Sequence, residues 1–304
     1  MRLAGLSVDV DSVASHLEGY GFERPQDDGS AYSTAVPRAL DVFDRVGARG
    51  TFFLIAEEAE KHTDTVREIV RRGHEVASHS MTHGLPFANL TEERSRSEIF
   101  DSKVLLERIS GARIDGFRAP SWDAGADLIA ELERAGYRYD ASAYPSILLP
   151  LLRRAIASRS AGGAVRTVSG LWDGVFGRTG PHRLTVGNRT IYEIPVATTP
   201  ILRLPYYHTM SYVLPGPAFR LIGIAARARR CPISYQFHAV DFLDTAQDDL
   251  DERIARHPGM ELSLSTKLTL AQDCLQRLGR ARQVVPLREI VDSLDRPPAG
   301  RLST

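Results

Sequence analysis

The chain has 304 residues, 43% of them apolar, which allows one large α/β domain with a substantial core and argues against disorder. Lysine plus arginine and aspartate plus glutamate each number 38, and that balance excludes the basic excess expected of a nucleic-acid binder. Cys231 and Cys274 are too few for a disulfide framework and are expected to be reduced thiols. No stretch approaches the roughly 20 apolar residues that span a bilayer. The short apolar opening meets Asp9 before it can form the core of a secretory signal. On these grounds the chain is expected to be cytoplasmic and soluble.

Strand and helix signals alternate along the first half. Residues 3–10 read as a buried strand. Residues 35–46 read as a helix, with Ala39, Leu40, Val42, Phe43 and Val46 at helical spacing and Gly47 as its stop. Residues 50–55 form a second strand, 62–72 a helix ending at Gly73, and 75–78 a short third strand. A long helix is expected over 91–110 with Thr91 as its N-cap and Glu92 and Glu93 at the positive end of the dipole. A strand begins at 116–118, a helix covers 126–135, and 137–140 is a further strand. The stretch 158–187, rich in Gly, Ser, Thr and Arg, reads as loop with short strands. A strand at 190–195, a Pro-broken aromatic run at 205–217, a helix at 218–230 and a strand at 232–237 follow. The chain closes with a helix at 263–278, a strand at 284–286 and a helix at 287–294. This rhythm predicts parallel strands with helical crossovers. No linker is long enough to divide the chain, so residues 1–304 are expected to form a single catalytic domain with an irregular insertion near 146–190.

The chemistry-bearing residues fall after strands. Asp9-Val10-Asp11 ends the first strand, and period-2 alternation puts both carboxylates on one side of an extended chain. His79-Ser80-Met81-Thr82-His83 follows the third, and two imidazoles four residues apart share a face if the segment makes a helical turn. Arg118 follows the next strand, and His238 ends a late one. Two histidines and a carboxylate commonly hold a hydrolytic metal with positions left open for water and substrate. Strand carboxyl ends are where barrels and open α/β sheets place their sites. No glycine-rich phosphate loop follows the first strand, which weighs against a nucleotide-binding sheet.

The order of the Asp-rich turn, Thr51-Phe52-Phe53, His79-x-x-x-His83, Arg118-Ala119-Pro120-Ser121-Trp122 and the late His238 resembles the polysaccharide deacetylase family, the NodB-homology carbohydrate esterases. The resemblance is dense over residues 3–145 and loose over 190–290. It implies a distorted (β/α) barrel with about seven parallel strands and one divalent metal, zinc before cobalt, nickel or manganese. By motif matching it makes Asp11, His79 and His83 the ligands, Asp9 the general base and His238 the acid that protonates the leaving amine. Arg118 would hold Asp9, and Asp140 or Asp241 would orient His238. The family's first motif has adjacent aspartates, whereas Val10 separates them here. Pro120, Trp122, Asp140, Tyr144 and Asp241 are expected to line the substrate site, with Trp122 and Tyr144 stacking on a sugar face.

Several of these residues have plainer readings. Asp9 can cap a strand end, Arg118 can form an ordinary ion pair, His238 can be a satisfied core histidine, Trp122 and Tyr144 can pack, and Asp241 can cap a loop. His208 reads as structural. The implied reaction removes an acetyl or formyl group from an amino sugar. Hydrolysis of a ureide-like C–N bond on the same fold, and glycan binding without catalysis, are the alternatives. Residues 147–154 and 219–230 join apolar and basic side chains. They read first as a core-facing surface with a solvated arginine edge, and second as segments able to rest on an anionic membrane face while the enzyme acts on a lipid-linked or nucleotide-linked substrate.

Overall fold

The computed structural model of the protein describes residues 2–125, 127–148, 177–187 and 189–296. β1, Leu3–Val10, is the axis of the sheet and is buried along nearly its whole length. It pairs in parallel with β2 (Thr51–Leu54), β8 (Ile233–His238) and β9 (Gln283–Val285). The sheet continues outward from β2 through β3 (Glu75–Ser78), β4 (Gly116–Phe117) and β5 (Tyr139–Asp140) to β7 (Arg189–Glu193) and β6 (His182–Val186). Among the nine strands of the described residues, only the β6–β7 pairing is antiparallel. Strands covered on both faces read as continuous apolar runs, which is why β1 was legible.

The sheet curls without closing on a β7–β8 ladder. The gap is bridged by the segment after β7, where Ala197 N–H donates to Ser234 O at 3.2 Å and His208 N–H to Gln236 O at 2.9 Å. The architecture is thus a mixed, mainly parallel sheet curled into a half-barrel with helices outside it, the distorted barrel that the sequence predicts. β6 lies in the stretch read as loop with short strands. Its partly exposed pattern gave a weak signal for an edge strand.

The crossovers follow the sequence closely. The helix Val36–Val46 buries Val36, Ala39, Leu40, Val42 and Phe43 and stops at Gly47, whose φ of 64° suits glycine. Thr91 caps the next long helix by accepting from Arg94 N–H. That helix is broken into Glu92–Arg96 and Ser102–Ser110 by a π-turn at Ser97–Asp101. The helix expected from residue 126 is observed over Leu128–Arg134. Most of the expected insertion, residues 149–176, lies outside the described residues, as does most of the apolar-basic segment 147–154. Cys231 and Cys274 are both free.

The amino-terminal end of the barrel is plugged by the helix Leu287–Asp295. A Cβ on Gly5 would stand 2.3 Å from Leu287 Cδ2, so β1 needs glycine there. Glu75 lies beneath this plug, accepting from Thr51 Oγ1 at 2.5 Å, Tyr139 Oη at 3.1 Å and Arg288 N–H at 3.1 Å. Burial, opposed by these bonds, pushes its carboxyl from 4.5 up to about 7. Between those values the folded chain keeps a proton that the unfolded chain loses, so unfolding free energy falls as pH rises through that window. Glu75→Gln is therefore expected to flatten the decline of stability between about pH 5 and 7, by about 2–3 kcal/mol at most, in denaturant titrations across pH. An unchanged slope would assign that pH dependence to other groups.

Candidate active site

β1 sends Ser7 and Asp9 to the same side, and the register sets Asp9 beside His238 of β8. Arg118, just after β4, crosses to Asp9. Its Nη1 donates to Asp9 Oδ1 and, at 3.1 Å, to Ser7 Oγ, while its Nε donates to Ala141 O. The guanidinium also lies 4.1 Å from the centroid of the Phe53 ring. Gln236 Nε2 donates to the other oxygen of Asp9 at 2.7 Å. Asp9 and Arg118 are almost wholly buried, and both oxygens of Asp9 accept from a donor, while Arg118 Nη2 has no hydrogen-bond partner among the described residues.

Asp11, His79 and His83 converge, as the sequence predicts. His79 Nε2 is 3.1 Å and His83 Nε2 3.7 Å from Asp11 Oδ1. All three residues are buried, and their ligand atoms lie within 4.8 Å of one another. The route to convergence differs from the helical turn expected. Ser80 and His83 take left-handed φ values of 72° and 61°, so the run is a tight non-helical turn. Side chains elsewhere pin it. Glu98, from the π-turn, accepts from the backbone N–H groups of Met81 and Thr82 and from Thr82 Oγ1, and Ser80 Oγ accepts from His83 N–H.

The donor set fits a cation. His79 Nδ1 is 2.7 Å from Arg118 O, which can only accept, so Nδ1 carries the hydrogen and Nε2 is the atom that faces Asp11, a lone-pair donor when the ring is neutral. Asp11 Oδ1 is buried and has no hydrogen-bond partner. Two lone-pair atoms at that distance in a buried site call for positive charge between them. The electrostatics show the same demand for positive charge, met by a proton on His79 when no ion is bound. Burial lowers His79, but the Asp11 carboxylate outweighs it and holds the imidazole above its ordinary value. Burial is likewise outweighed at Asp11, which His79 and His83 keep well below the usual carboxylate range. Burial takes His83 down to about 3, leaving a neutral ligand nitrogen.

His238 stands at the side of this group, with Nε2 3.9 Å from Asp9 Oδ2 and 3.4 Å from Gln236 Nε2, and Nδ1 3.4 Å from Thr209 Oγ1. Neither expected orienting carboxylate meets its ring. Asp241 Oδ2 accepts the His238 backbone N–H at 2.8 Å, so Asp241 acts as the loop cap of the plainer reading. Asp140 is drawn the other way, because its register partner on β7 is Glu193. It accepts from Ser142 Oγ at 2.5 Å and hydrogen-bonds Glu193. Burial raises both carboxyls, Glu193 the further under the added repulsion of Asp140, so the two share a proton inside the wall. Asp140 and Asp241 thus bond to groups other than the His238 ring that they were expected to orient.

Pro120 opens a short turn that presents Trp122. Trp122 lies 6.1 Å from His238, 5.0 Å from Tyr144 and 6.0 Å from Tyr207, ring centroid to ring centroid. An aromatic wall thus borders His238, with Tyr207 added to the residues the sequence suggested. Opposite it stand His16 and His257, whose rings are 4.7 Å apart and 6.1 and 6.4 Å from His238. Gln236 and Ser7 were within reach of sequence reasoning, each two residues before a named site residue on a strand. His16 and His257 carried no local signal. His208 is a buried ring packed 4.3 Å from Phe237, as its structural reading expects.

The family model for polysaccharide deacetylase matches residues 26–139. A peptidoglycan deacetylase of Helicobacter pylori is 31% identical over 144 residues, which cover 46% of this chain and 49% of that protein. The chain spans about half the length of the curated relatives it matches. A solved structure from Pseudomonas aeruginosa PAO1, named as a probable polysaccharide deacetylase, superposes with a TM-score of 0.61 at 13% identity, covering 98% of this chain and 92% of that one. Puue allantoinase superposes with a TM-score of 0.59 at 14% identity, covering 95% and 89%. The last two likenesses concern the fold. With the motif order and the site geometry, the sequence matches make residues 26–139 a polysaccharide deacetylase domain and the chain similar to the NodB-homology deacetylases.

Equilibrium dialysis against zinc is expected to give one tightly held ion per chain. Asp11→Asn and His83→Ala should each weaken it by about tenfold or more while leaving circular dichroism unchanged. Retention of full affinity in both variants would contradict the assignment.

Proposed function

We propose that the protein is a metal-dependent hydrolase that removes an N-acyl group, acetyl or formyl, from an amino sugar, the whole chain acting as one catalytic domain with an irregular insertion near 146–190. The observation that carries the proposal is the buried Asp11, whose unpartnered Oδ1 faces two imidazole nitrogens, beside a second carboxylate, Asp9, fixed by Arg118 and Gln236. A divalent cation held by Asp11, His79 and His83 acidifies water and polarises an amide carbonyl. Two imidazoles with a carboxylate favour zinc, with cobalt, nickel or manganese able to replace it.

The chain's own groups supply the proton movements. Asp9 accepts a proton from the attacking water. An ionised carboxylate offers about four lone-pair sites, so the bonds from Arg118 and Gln236 orient it without using it up. His238 gives a proton to the departing amine. Trp122 and Tyr144, with Pro120 setting the turn and Tyr207 beside them, form a flat apolar wall suited to a sugar face. The intact ligand, base and acid set favours this reading over a metal-free ureide hydrolase or a binding protein, neither of which needs all three. The carrier of the sugar, lipid or nucleotide, is part of the proposal, with glycan assembly as its setting. The two free thiols suit a reducing compartment, and we place the reaction in the cytoplasm.

The test measures acetate and formate release from polymeric, nucleotide-linked and polyprenyl-linked N-acyl sugars by the zinc-loaded protein. His79→Ala is expected to lose both metal and turnover. Asp9→Asn should keep the metal and lower kcat by about 10²-fold or more, with a smaller change in KM. A fast Asp9→Asn enzyme would remove Asp9 as the base, and no release from any N-acyl sugar would remove the substrate class.

A further inference from the structure

From Ile194 to Val240 the chain carries five arginines and no aspartate, glutamate or lysine, whereas the protein as a whole holds 38 acidic residues. This stretch joins β7 to β8. Thr198 and Pro205 form an antiparallel bridge, and Leu204 N–H donates to Thr199 Oγ1 at 3.0 Å, so Thr198–Pro205 is a small hairpin. Ile201 and Leu202 are at its tip, 89% and 61% exposed. The helix Gly216–Arg227 packs on the hairpin base through Arg227, whose Nη1 donates to Tyr206 Oη at 2.7 Å, and Arg229 just beyond the helix donates to Thr198 O at 3.1 Å. The helix buries Phe219, Ile222, Gly223 and Ala226 and turns Arg220, Leu221 and Ile224 outward, the last two 67% and 59% exposed. It is therefore apolar on both faces, and the core uses only one of them.

We propose that this acid-free surface docks on an anionic lipid bilayer. Ile201 and Leu202 enter the boundary between headgroups and acyl chains, and the Leu221–Ile224 face lies along it. Arg203, Arg220 and Arg230 meet lipid phosphates. The missing carboxylates are the complement of that occupant, because nothing on the stretch repels a negative surface. A second copy of the chain fits less well, since a two-fold interface would set this arginine-only surface against itself. The hairpin starts level with Ser234, near the beginning of β8, while His238 ends that strand. Docking uses the hairpin tip and the outward helix face, none of whose residues is assigned to the site, so attachment is separable from turnover. The proposal stands independently of the reaction assigned above.

The experiment is co-sedimentation of the full-length chain with phosphatidylglycerol–phosphatidylcholine vesicles and with pure phosphatidylcholine vesicles, over a salt series. The expected result is binding to the anionic vesicles that falls with salt and is about tenfold or more weaker in the double variant Ile201→Asp, Leu202→Asp, whose zinc content stays at the wild-type level. Leu221→Asp provides a second, independent loss. Wild-type binding equal on both lipids, or absent from the anionic ones, overturns the proposal, and so does undiminished binding by folded variants. A concentration-dependent dimer that Leu221→Asp dissociates, with no vesicle binding, would assign the face to a second copy. If the variants do not fold, the lipid and salt dependence of the wild-type chain decides alone.

Discussion

A carboxylate oxygen and an imidazole lone pair held 3.1 Å apart inside the protein are the constraint on which the site depends. Left alone, the Asp11 carboxylate draws a proton toward His79 Nε2; a cation between them answers the same need for positive charge. The fold prevents them from separating. Arg118 O fixes the hydrogen of His79 on Nδ1, and Glu98 ties down the turn that carries both histidines. Arg118 acts twice here. Its carbonyl sets the tautomer of one metal ligand, and its guanidinium holds the adjacent Asp9. Ligand geometry and base orientation are thus coupled through one buried residue, as expected where ligand-supporting groups tune a site.

The parallel ladder makes that coupling possible. β1, β3, β4 and β8 deliver Asp9 and Asp11, the histidine turn, Arg118 and His238 to one end of the sheet. The β1–β8 register sets Asp9 directly against His238, so the base and the acid of the proposed reaction are neighbours by strand pairing and do not depend on loop conformation. The same alternation brings Gln236 and Ser7 in behind them. The opposite end carries different chemistry, a plug helix over the buried Glu75.

Much of this was legible in the sequence, for physical reasons that vary by residue. β1 and β2 announced themselves as buried, mainly apolar runs, and Gly47 and Gly73 marked helix ends, because these signals are local. Asp9, Asp11, Arg118 and His238 were placed by their position after strands. The convergence of His79 and His83 was foreseen and its cause was not. Left-handed φ at Ser80 and His83 depends on Glu98, which reaches the turn only through tertiary packing. The pairing of Asp140 with Glu193 was not foreseen because it is set by β5–β7 register, which no local pattern encodes. His16 and His257 were missed because their meeting is long-range.

The central claim is that one ion bridges an early aspartate and a later histidine pair. The most direct measurement is a crystal structure of the zinc-loaded protein, with the ion located by anomalous scattering at the zinc edge. The account predicts a single peak within about 2.0–2.3 Å of Asp11 Oδ1, His79 Nε2 and His83 Nε2, with His79 Nδ1 still on Arg118 O. A peak elsewhere, or one that leaves Asp11 outside its coordination, would contradict it.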